Sequence, residues 1–344
     1  MPKPVIANLY TGRNLSLDVM RGLAICLVVF SHTMLLGKAV VTSTAGRYLH
    51  RLFTQIQSGG WTGVDLFFVL SGFLVSGLLF KELKNTRRVD VGTFLIRRGF
   101  KIYPGFIFFI ASSFLIDRLF AHPPIFPLAD YVKDLLFLHN YRGGRWGITW
   151  SLDVEEAFYF LLAGFFFMIV QYGRFTGKLL IITYLLLVGI GIWGRVIANA
   201  HGAPFSFSMQ YSLTHFRLDA LFSGVVLSYG YHNHRFRFLK FFVRYRYIII
   251  SLALMVILPN FIFKRENNRW ISIFFLSINP AAFGLLMCCA LTIKIQFIGN
   301  RILEMIGKYS YAVYLWHALI NEYARDFIQP QSSGKSLAFY ILVF

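Results

Sequence analysis

An arginine and a histidine stand on one face of the first long apolar stretch of the chain. Arg21 and His32 are eleven residues apart in the run from Leu17 to Leu36. At about 100° per residue, this spacing brings them within about 20° of each other around a helix, and it separates them by roughly 16 Å along its axis. Asp18 precedes Arg21 by three residues and can pair with it. Charged groups are costly in hydrocarbon, so these residues are predicted to face the interior of a helix bundle.

A histidine placed among carboxylates can act as a general base. Imidazole titrates near neutral pH, and an acid can hold its ring in one orientation. His32 is therefore the first catalytic candidate, with Asp65 or Glu155 predicted to orient its ring. Arg21 is predicted to shape the route of a substrate or to pair with Asp18. An interfacial arginine and a packing histidine are the alternatives.

Three further segments place polar residues where apolar runs begin. They read GVDLFFVLSGFL, WSLDVEEAFYFLL and HFRLDALFSGVVL. In the second segment, a spacing of four residues puts a serine, a glutamate and a tyrosine on one helix face. We predict that these segments converge on His32 and supply two catalytic acids, Asp65 and Glu155, and five substrate-binding residues, Ser151, Glu156, Tyr159, Arg217 and Asp219. Ion pairing between helices without a catalytic role is the alternative.

A compact cationic cluster stands in the segment FLIRRGFKIYPG. Arg97, Arg98 and Lys101 fall within about one helical turn. Guanidinium groups bind phosphate through paired hydrogen bonds, so the cluster is predicted to bind the phosphate groups of a ligand. The alternative is a basic flank that only sets membrane topology.

Two other features of the C-terminal third are candidates for the site. His317 is predicted near mid-depth in the membrane, as a substrate-binding residue and an alternative base. Asn279–Pro280 is predicted to interrupt its helix, and broken helices often line cavities. The spacing of the cysteines and histidines fits no metal site, so no metal is expected.

The composition indicates which elements must position these residues. Of 344 residues, 57% are hydrophobic and 14% are charged, whereas a soluble domain carries about 25% charged residues. Crossing a bilayer takes about 20 apolar residues. We predict an all-α integral membrane protein, a bundle of about ten transmembrane helices forming one domain over 1–344 without a soluble domain. The predicted spans are 17–37, 61–80, 100–120, 148–170, 178–198, 213–231, 245–263, 271–293, 308–328 and an incomplete tenth beginning near Leu337.

The net charge of +19 does not indicate a nucleic-acid-binding protein. The basic residues stand between hydrophobic spans and not along one soluble face. Cytoplasmic loops of membrane proteins are rich in lysine and arginine, and two loops on the N-terminal side follow this rule. The N-terminus is therefore predicted in the cytoplasm. The two loops contain Lys81, Lys84, Arg87, Arg88, Arg97, Arg98 and Lys101, and Arg235, Arg237, Lys240, Arg244 and Arg246.

At these residues the chain resembles the acyltransferase-3 family of membrane-bound O-acyltransferases. The matching segments run in family order from end to end: LDVMRGLAICLVVFSHT, GVDLFFVLSGFL, RRGFKIYP, WSLDVEEAFYFLL, RLDALFSG and YSYAVYLWH. One departure is Lys101, where the family commonly has arginine. The resemblance implies an acyl-CoA donor, usually acetyl-CoA, and a hydroxyl acceptor on a glycan or lipid-linked sugar.

Two classes of function follow from these observations. The first is an O-acyltransferase of the bacterial inner (cytoplasmic) membrane, with acyl-CoA, a glycan or other hydroxyl acceptor, and membrane lipid as partners. The second is a proton-coupled transporter of a small solute, since ionisable residues and a broken helix within a bundle also suit a permease. The identity of the acceptor and the length of the acyl chain are open at this point.

Overall fold

The computed structural model describes residues 14–32, 44–120, 126–173, 176–200, 206–263, 268–293 and 299–327. Every regular element within these ranges is helical. The longer helices are α1 (Leu15–His32), α3 (Gly63–Thr86), α4 (Val91–Phe120), α7 (Trp150–Gln171), α8 (Gly177–Ala200), α10 (Leu218–Asn233), α11 (Arg235–Ile257), α13 (Leu276–Ala290) and α15 (Ser310–Phe327).

Shorter helices lie between the longer ones, most of them in the connections between predicted spans and one, at Pro259–Ile262, inside the predicted span 245–263. They are α2 (Thr44–Gly59), α5 (Leu128–Leu135), α6 (His139–Arg142), α9 (Phe207–Ser212), α12 (Pro259–Ile262) and α14 (Asn300–Lys308). The basic stretch 235–246, predicted as a loop, is also helical and forms the first half of α11. Its arginines alternate with aromatic residues. The helix therefore continues from the basic half of α11 into its apolar half without a loop.

Six described segments are long and apolar enough to cross a membrane: Leu15–His32, Gly46–Thr86, Val91–Leu119, Gly177–Ala200, Arg235–Ile262 and Ile271–Ala290. The chain is thus an integral membrane protein, and its described residues form an all-helical bundle. The predicted number of about ten spans is not confirmed. The helix α10 has 16 residues, about 24 Å of rise, and α7 carries three acidic residues in its first two turns. The predicted tenth span lies outside the described residues.

The central helix is α3, which contacts α1, α7, α10 and α13. Its closest neighbour is α10, and two glycines allow this approach. A Cβ atom at Gly72 would overlap the carbonyl oxygen of Leu221, and one at Gly224 would overlap that of Val69. Small residues let helix backbones come together in this way within membranes. The glycines of LSGFL and LFSG are thereby explained as packing residues.

The predicted break at Asn279–Pro280 is wrong, because α13 continues through Pro280. The irregular turn lies earlier, as a π-helical turn at Ile271–Phe275. Proline has no N–H, so the carbonyl four residues earlier, that of Leu276, loses its helical donor. An Arg217 Nη1 donates to this oxygen at 3.0 Å. The helix therefore remains whole because a buried guanidinium replaces the missing donor.

The bundle has two ends that carry different residues. We call the end at which α1 begins the basic face, because Arg98, Lys101 and Lys308 lie there. The opposite face is the end at which α1 finishes at His32, beside Trp61.

Candidate active site

A cavity of about 370 Å³ opens near the basic face, and we call it the basic cavity. Four cationic side chains line it, from α1, α4 and α14: Arg21, Arg98, Lys101 and Lys308. The predicted ion pair of α1 is present, with Arg21 Nη1 at 3.1 Å from the buried carboxylate of Asp18. The volume of the basic cavity lies within the range of about 300–1,000 Å³ that small-molecule sites occupy.

The predicted polar face of α7 lines this same cavity. Ser151, Glu155 and Tyr159 all reach it, as their spacing of four residues requires. The Tyr159 hydroxyl donates to Glu155 Oε2 at 2.8 Å and also lies 2.8 Å from the Ser71 hydroxyl of α3. Glu155 therefore lines the same cavity as the cations Arg98 and Lys101.

Two residues of the predicted site point elsewhere. Arg97 is exposed and is not among the residues that line the basic cavity, unlike its neighbours Arg98 and Lys101. A step of one residue turns a side chain by about 100° around the helix, which takes Arg97 off the cavity face. Glu156 likewise leaves the face of Glu155. Its carboxylate is buried and accepts a hydrogen bond from the Tyr103 hydroxyl at 3.0 Å.

A second cavity of about 380 Å³ lies toward the opposite face, and we call it the histidine cavity. His32 and His139 line it, between aromatic walls formed by Trp61, Trp150, Phe207 and Tyr211. The rings of these walls support each other, with centroids of Trp150 and Tyr211 at 4.5 Å. The arrangement offers flat apolar surfaces with two imidazoles between them.

The ring of His32 contacts His317, whereas Asp65 pairs with Arg217 and Glu155 lines the basic cavity. His317 Nδ1 lies 2.6 Å from the carbonyl oxygen of Tyr314 and 3.3 Å from that of Val313. In the neutral ring this nitrogen must therefore carry the proton, which leaves the lone pair on Nε2. That Nε2 lies 3.3 Å from His32 Nδ1.

The same reasoning fixes the tautomer of His32. Its Nδ1 faces two acceptors, the lone pair of His317 and the Val28 carbonyl oxygen at 3.0 Å. A hydrogen on Nδ1 satisfies this environment, so the lone pair of the neutral ring lies on Nε2. The sequence predicted His317 as an alternative base, whereas the geometry makes it the partner of His32.

Asp65 lies in a buried ion pair with Arg217, and neither residue lines either cavity. Both side chains are fully buried. Asp219 accepts a hydrogen bond from Ser277, whose hydroxyl also accepts one from Arg195 at 2.5 Å. The prediction that Asp65, Arg217 and Asp219 converge on His32 is therefore wrong. They belong to a polar network that joins α3, α8, α10 and α13.

One residue of the histidine cavity was not among the residues predicted for the site. His139 lines this cavity, and its Nδ1 lies 3.2 Å from Asp134 Oδ1. The Asp134 carboxylate also accepts from the backbone N–H groups of Arg145 and Trp146, both at 3.0 Å, and from Thr149. The short spacing between Asp134 and His139, across the end of one helix and the start of another, was the available signal.

In the described part of the chain, no three His, Cys, Asp or Glu side chains come together as metal ligands. The arrangement that remains is two cavities, one cationic and one aromatic with imidazoles. They share two wall residues, Val64 and Tyr314. Such a pair can hold an anionic ligand and a second ligand end to end, with a histidine near their junction.

Comparison with known proteins agrees with the motifs. A family model described as an acyltransferase domain matches residues 14–344. The chain is 26% identical over 310 residues to "Putative O-acetyltransferase SACOL0978" of Staphylococcus aureus strain COL, covering 82% of this chain and 49% of that protein. It is 27% identical over 304 residues to "O-acetyltransferase OatA" of Staphylococcus aureus strain NCTC 8325 / PS 47, covering 79% and 48%.

The chain thus spans about half the length of the curated relatives that it matches. No solved structure matches it. The family model nevertheless covers nearly the whole chain, from the first described residue onward. The motifs that carried the resemblance lie within this match, including those that line the two cavities. The chain belongs to the acyltransferase-3 family.

Proposed function

We propose that the chain is a membrane-embedded O-acyltransferase. It moves an acyl group, in our proposal acetyl, from acyl-CoA on the cytoplasmic side to a hydroxyl of a glycan or lipid-linked sugar on the other side. The observation that carries the proposal is the pair of cavities toward opposite faces, which meet at Val64 and Tyr314. A donor and an acceptor can each occupy one cavity and react where the cavities join.

The basic face is the cytoplasmic face in this proposal, and the membrane is the bacterial inner membrane. The short connection between α3 and α4 is rich in lysine and arginine, as are the first turns of α11. Cytoplasmic connections carry such an excess. Acyl-CoA is available on this side, where the basic cavity opens.

The donor fits the basic cavity by charge. CoA carries several phosphate charges, and four cationic groups line the cavity: Arg21, Arg98, Lys101 and Lys308. Charge-assisted hydrogen bonds to phosphate are the strong ones, and arginine can make two at once. The phosphates then bind at the basic face, and the narrower acyl-bearing arm extends along the apolar walls toward Tyr314.

The acceptor fits the histidine cavity by shape and hydrogen bonding. The apolar face of a sugar ring packs on aromatic side chains, and Trp61, Trp150 and Tyr211 supply such walls. His139 is held in one orientation by Asp134 and offers its second nitrogen to an acceptor hydroxyl. An aromatic cavity with two imidazoles suits a ring that bears several hydroxyls.

His32 is the general base in this proposal. Its Nε2 takes the proton of the acceptor hydroxyl while the hydroxyl oxygen attacks the thioester carbonyl carbon. The carbon–sulfur bond then breaks, and the CoA thiolate leaves with the electron pair and takes up the proton. Glu155 and Arg21 line the donor side of the junction, where they position the acyl-bearing arm.

Purified full-length protein in lipid nanodiscs tests the proposal directly. Acetyl-CoA and a set of oligosaccharide acceptors are added, free CoA is measured with a thiol reagent, and the products are analysed by mass spectrometry. We expect one acetyl mass on the acceptor for each CoA released. A proton-coupled transporter, the second class considered from the sequence, would move its solute without releasing CoA, and that result would overturn the proposal.

The donor site gives a graded prediction. Changing Arg98 and Lys101 together to glutamine removes two cations from the basic cavity and keeps the shape of α4. Charge-assisted contacts contribute about 1.5–3 kcal/mol each when well shielded, and exposure to water lowers this. We expect the KM for acetyl-CoA to rise about tenfold with little change in kcat.

The matched control for this pair is Arg97→Gln. Arg97 lies beside them on α4, is exposed and does not line the cavity. The KM of the Arg97→Gln variant for acetyl-CoA should therefore stay close to that of the wild type. Equal effects of the two changes would mean that the basic segment contributes only a general surface charge.

A further inference from the structure

Two side chains lie between the two cavities. Tyr314 of α15 lines both the basic cavity and the histidine cavity, and so does Val64 of α3. Tyr314 is only 7% exposed, although it borders two open spaces. Valine is small and stiff, whereas a tyrosine ring can turn about its side-chain bonds. Any group that passes from one cavity to the other must therefore pass this ring.

The hydroxyl of Tyr314 is held by one residue from each cavity. It donates to the carbonyl oxygen of Ile148 at 2.9 Å, and Ile148 lines the histidine cavity. Because its single proton is used there, the hydroxyl of Ser151 donates to Tyr314 Oη, at 2.6 Å. Ser151 lines the basic cavity. The ring is thus fastened across the boundary by two hydrogen bonds, and breaking them frees it to move.

The backbone of Tyr314 is linked to the proposed base. Its carbonyl oxygen accepts from His317 Nδ1 at 2.6 Å, and His317 Nε2 meets His32 Nδ1 at 3.3 Å. The side chain that divides the cavities therefore belongs to the same residue that sets the orientation of the two histidines. Tyr314 and His317, the histidine that contacts the proposed base, lie on one turn of α15.

We propose that Tyr314 is a gate that closes the passage between the donor and acceptor cavities and opens for the acyl group when an acceptor is bound. This rests on the proposed function. The gate keeps water in the histidine cavity away from the thioester. Without it, His32 would remove a proton from water as readily as from an alcohol. The water oxygen would attack the carbonyl carbon, the carbon–sulfur bond would break, and CoA and the free acid would form.

The test compares CoA release with acyl transfer in the full-length protein. In the wild type, we expect a ratio near one and little CoA release without acceptor. Tyr314→Phe keeps the ring and removes both hydrogen bonds of the hydroxyl, and Ser151→Ala removes only one. Tyr314→Ala removes the ring itself. We expect CoA release without acceptor to rise several-fold in Tyr314→Phe, more in Tyr314→Ala and less in Ser151→Ala.

Tyr131→Phe is the matched control. Tyr131 is buried and lies outside both cavities. The ratio of CoA release to acyl transfer in this variant should therefore equal that of the wild type. Thermal unfolding of each purified variant verifies that it is folded, and Ser151→Ala provides the comparison if both Tyr314 variants fail to fold.

Three results would contradict the gate, and the last of them also contradicts the function. If the wild type couples release to transfer and the folded variants remain equally coupled, the gate is overturned and the acyltransferase stands. The same holds if folded Tyr314→Phe neither hydrolyses nor transfers, because an opened passage should not stop hydrolysis. If the wild type releases no CoA with any acceptor, the proposed function and the gate fall together.

Discussion

His32→Ala is expected to lower acyl transfer by about a hundred- to ten-thousand-fold, the contribution that a positioned base makes. A free hydroxyl is a poor nucleophile at neutral pH, and His32 Nε2 carries the lone pair that removes its proton. The loss should appear in kcat, while the KM for acetyl-CoA stays close to the wild-type value because the donor cations lie in the other cavity. Steady-state kinetics on the purified protein measures both constants.

Two further variants distinguish a base from a packing residue. His32→Gln keeps a hydrogen-bonding side chain without a basic nitrogen, so it should be as inactive as His32→Ala. His317→Ala removes one of the two acceptors of the His32 Nδ1 proton and should lower kcat less, since the base remains. His317→Gln offers an amide oxygen to that proton and should recover part of the loss. If His32→Ala keeps more than a tenth of the wild-type turnover, His32 is not the base.

Arg217→Ala is expected to destabilise the fold by about 3–5 kcal/mol, the cost of leaving one partner of a buried ion pair alone. The guanidinium pairs with fully buried Asp65. It also donates to the carbonyl oxygen of Leu276, which has no helical donor because Pro280 lacks an N–H. Its loss leaves a carboxylate and a carbonyl unpaired inside the bundle. Thermal unfolding in detergent, followed by size-exclusion chromatography, should show a markedly lower midpoint and less folded protein.

A double variant separates the charge from the contact. Replacing both members, Arg217→Met with Asp65→Leu, removes the two buried charges together, and such exchanges are often close to neutral. We expect it to be more stable than Arg217→Ala. Arg237→Ala, on the exposed side of α11, is the control and should unfold like the wild type. An Arg217→Ala protein of normal stability that fails to transfer would instead support the substrate-binding role that the sequence predicted.

Helical periodicity predicted the residues that share one helix. The spacing of Ser151, Glu155 and Tyr159 placed them on one face of α7, and all three line the basic cavity. The pairing of Asp18 with Arg21 followed from their spacing of three and is confirmed. In both cases the contact partners lie on one helix, whose geometry is the same in every fold.

Contacts between helices were predicted less well, for a physical reason. Asp65 and His32 each begin or end a membrane-crossing element at a similar depth, so depth alone suggested that they meet. Which helices are neighbours depends on packing, and the glycines of α3 and α10 bring Arg217 beside Asp65. The His32–His317 contact and the Asp134–His139 pair likewise join separate elements, so the periodicity of a single helix cannot predict them.

The shared wall of the two cavities has a consequence for inhibition kinetics. Val64 and Tyr314 are their common residues, and the other described residues of each cavity belong to it alone. Donor and acceptor then do not block each other's route, and either can bind first. Free CoA should therefore compete with acetyl-CoA and show noncompetitive inhibition against the acceptor. An unreactive acceptor analogue should show the reverse pattern, and a compound that spans Tyr314 should compete with both.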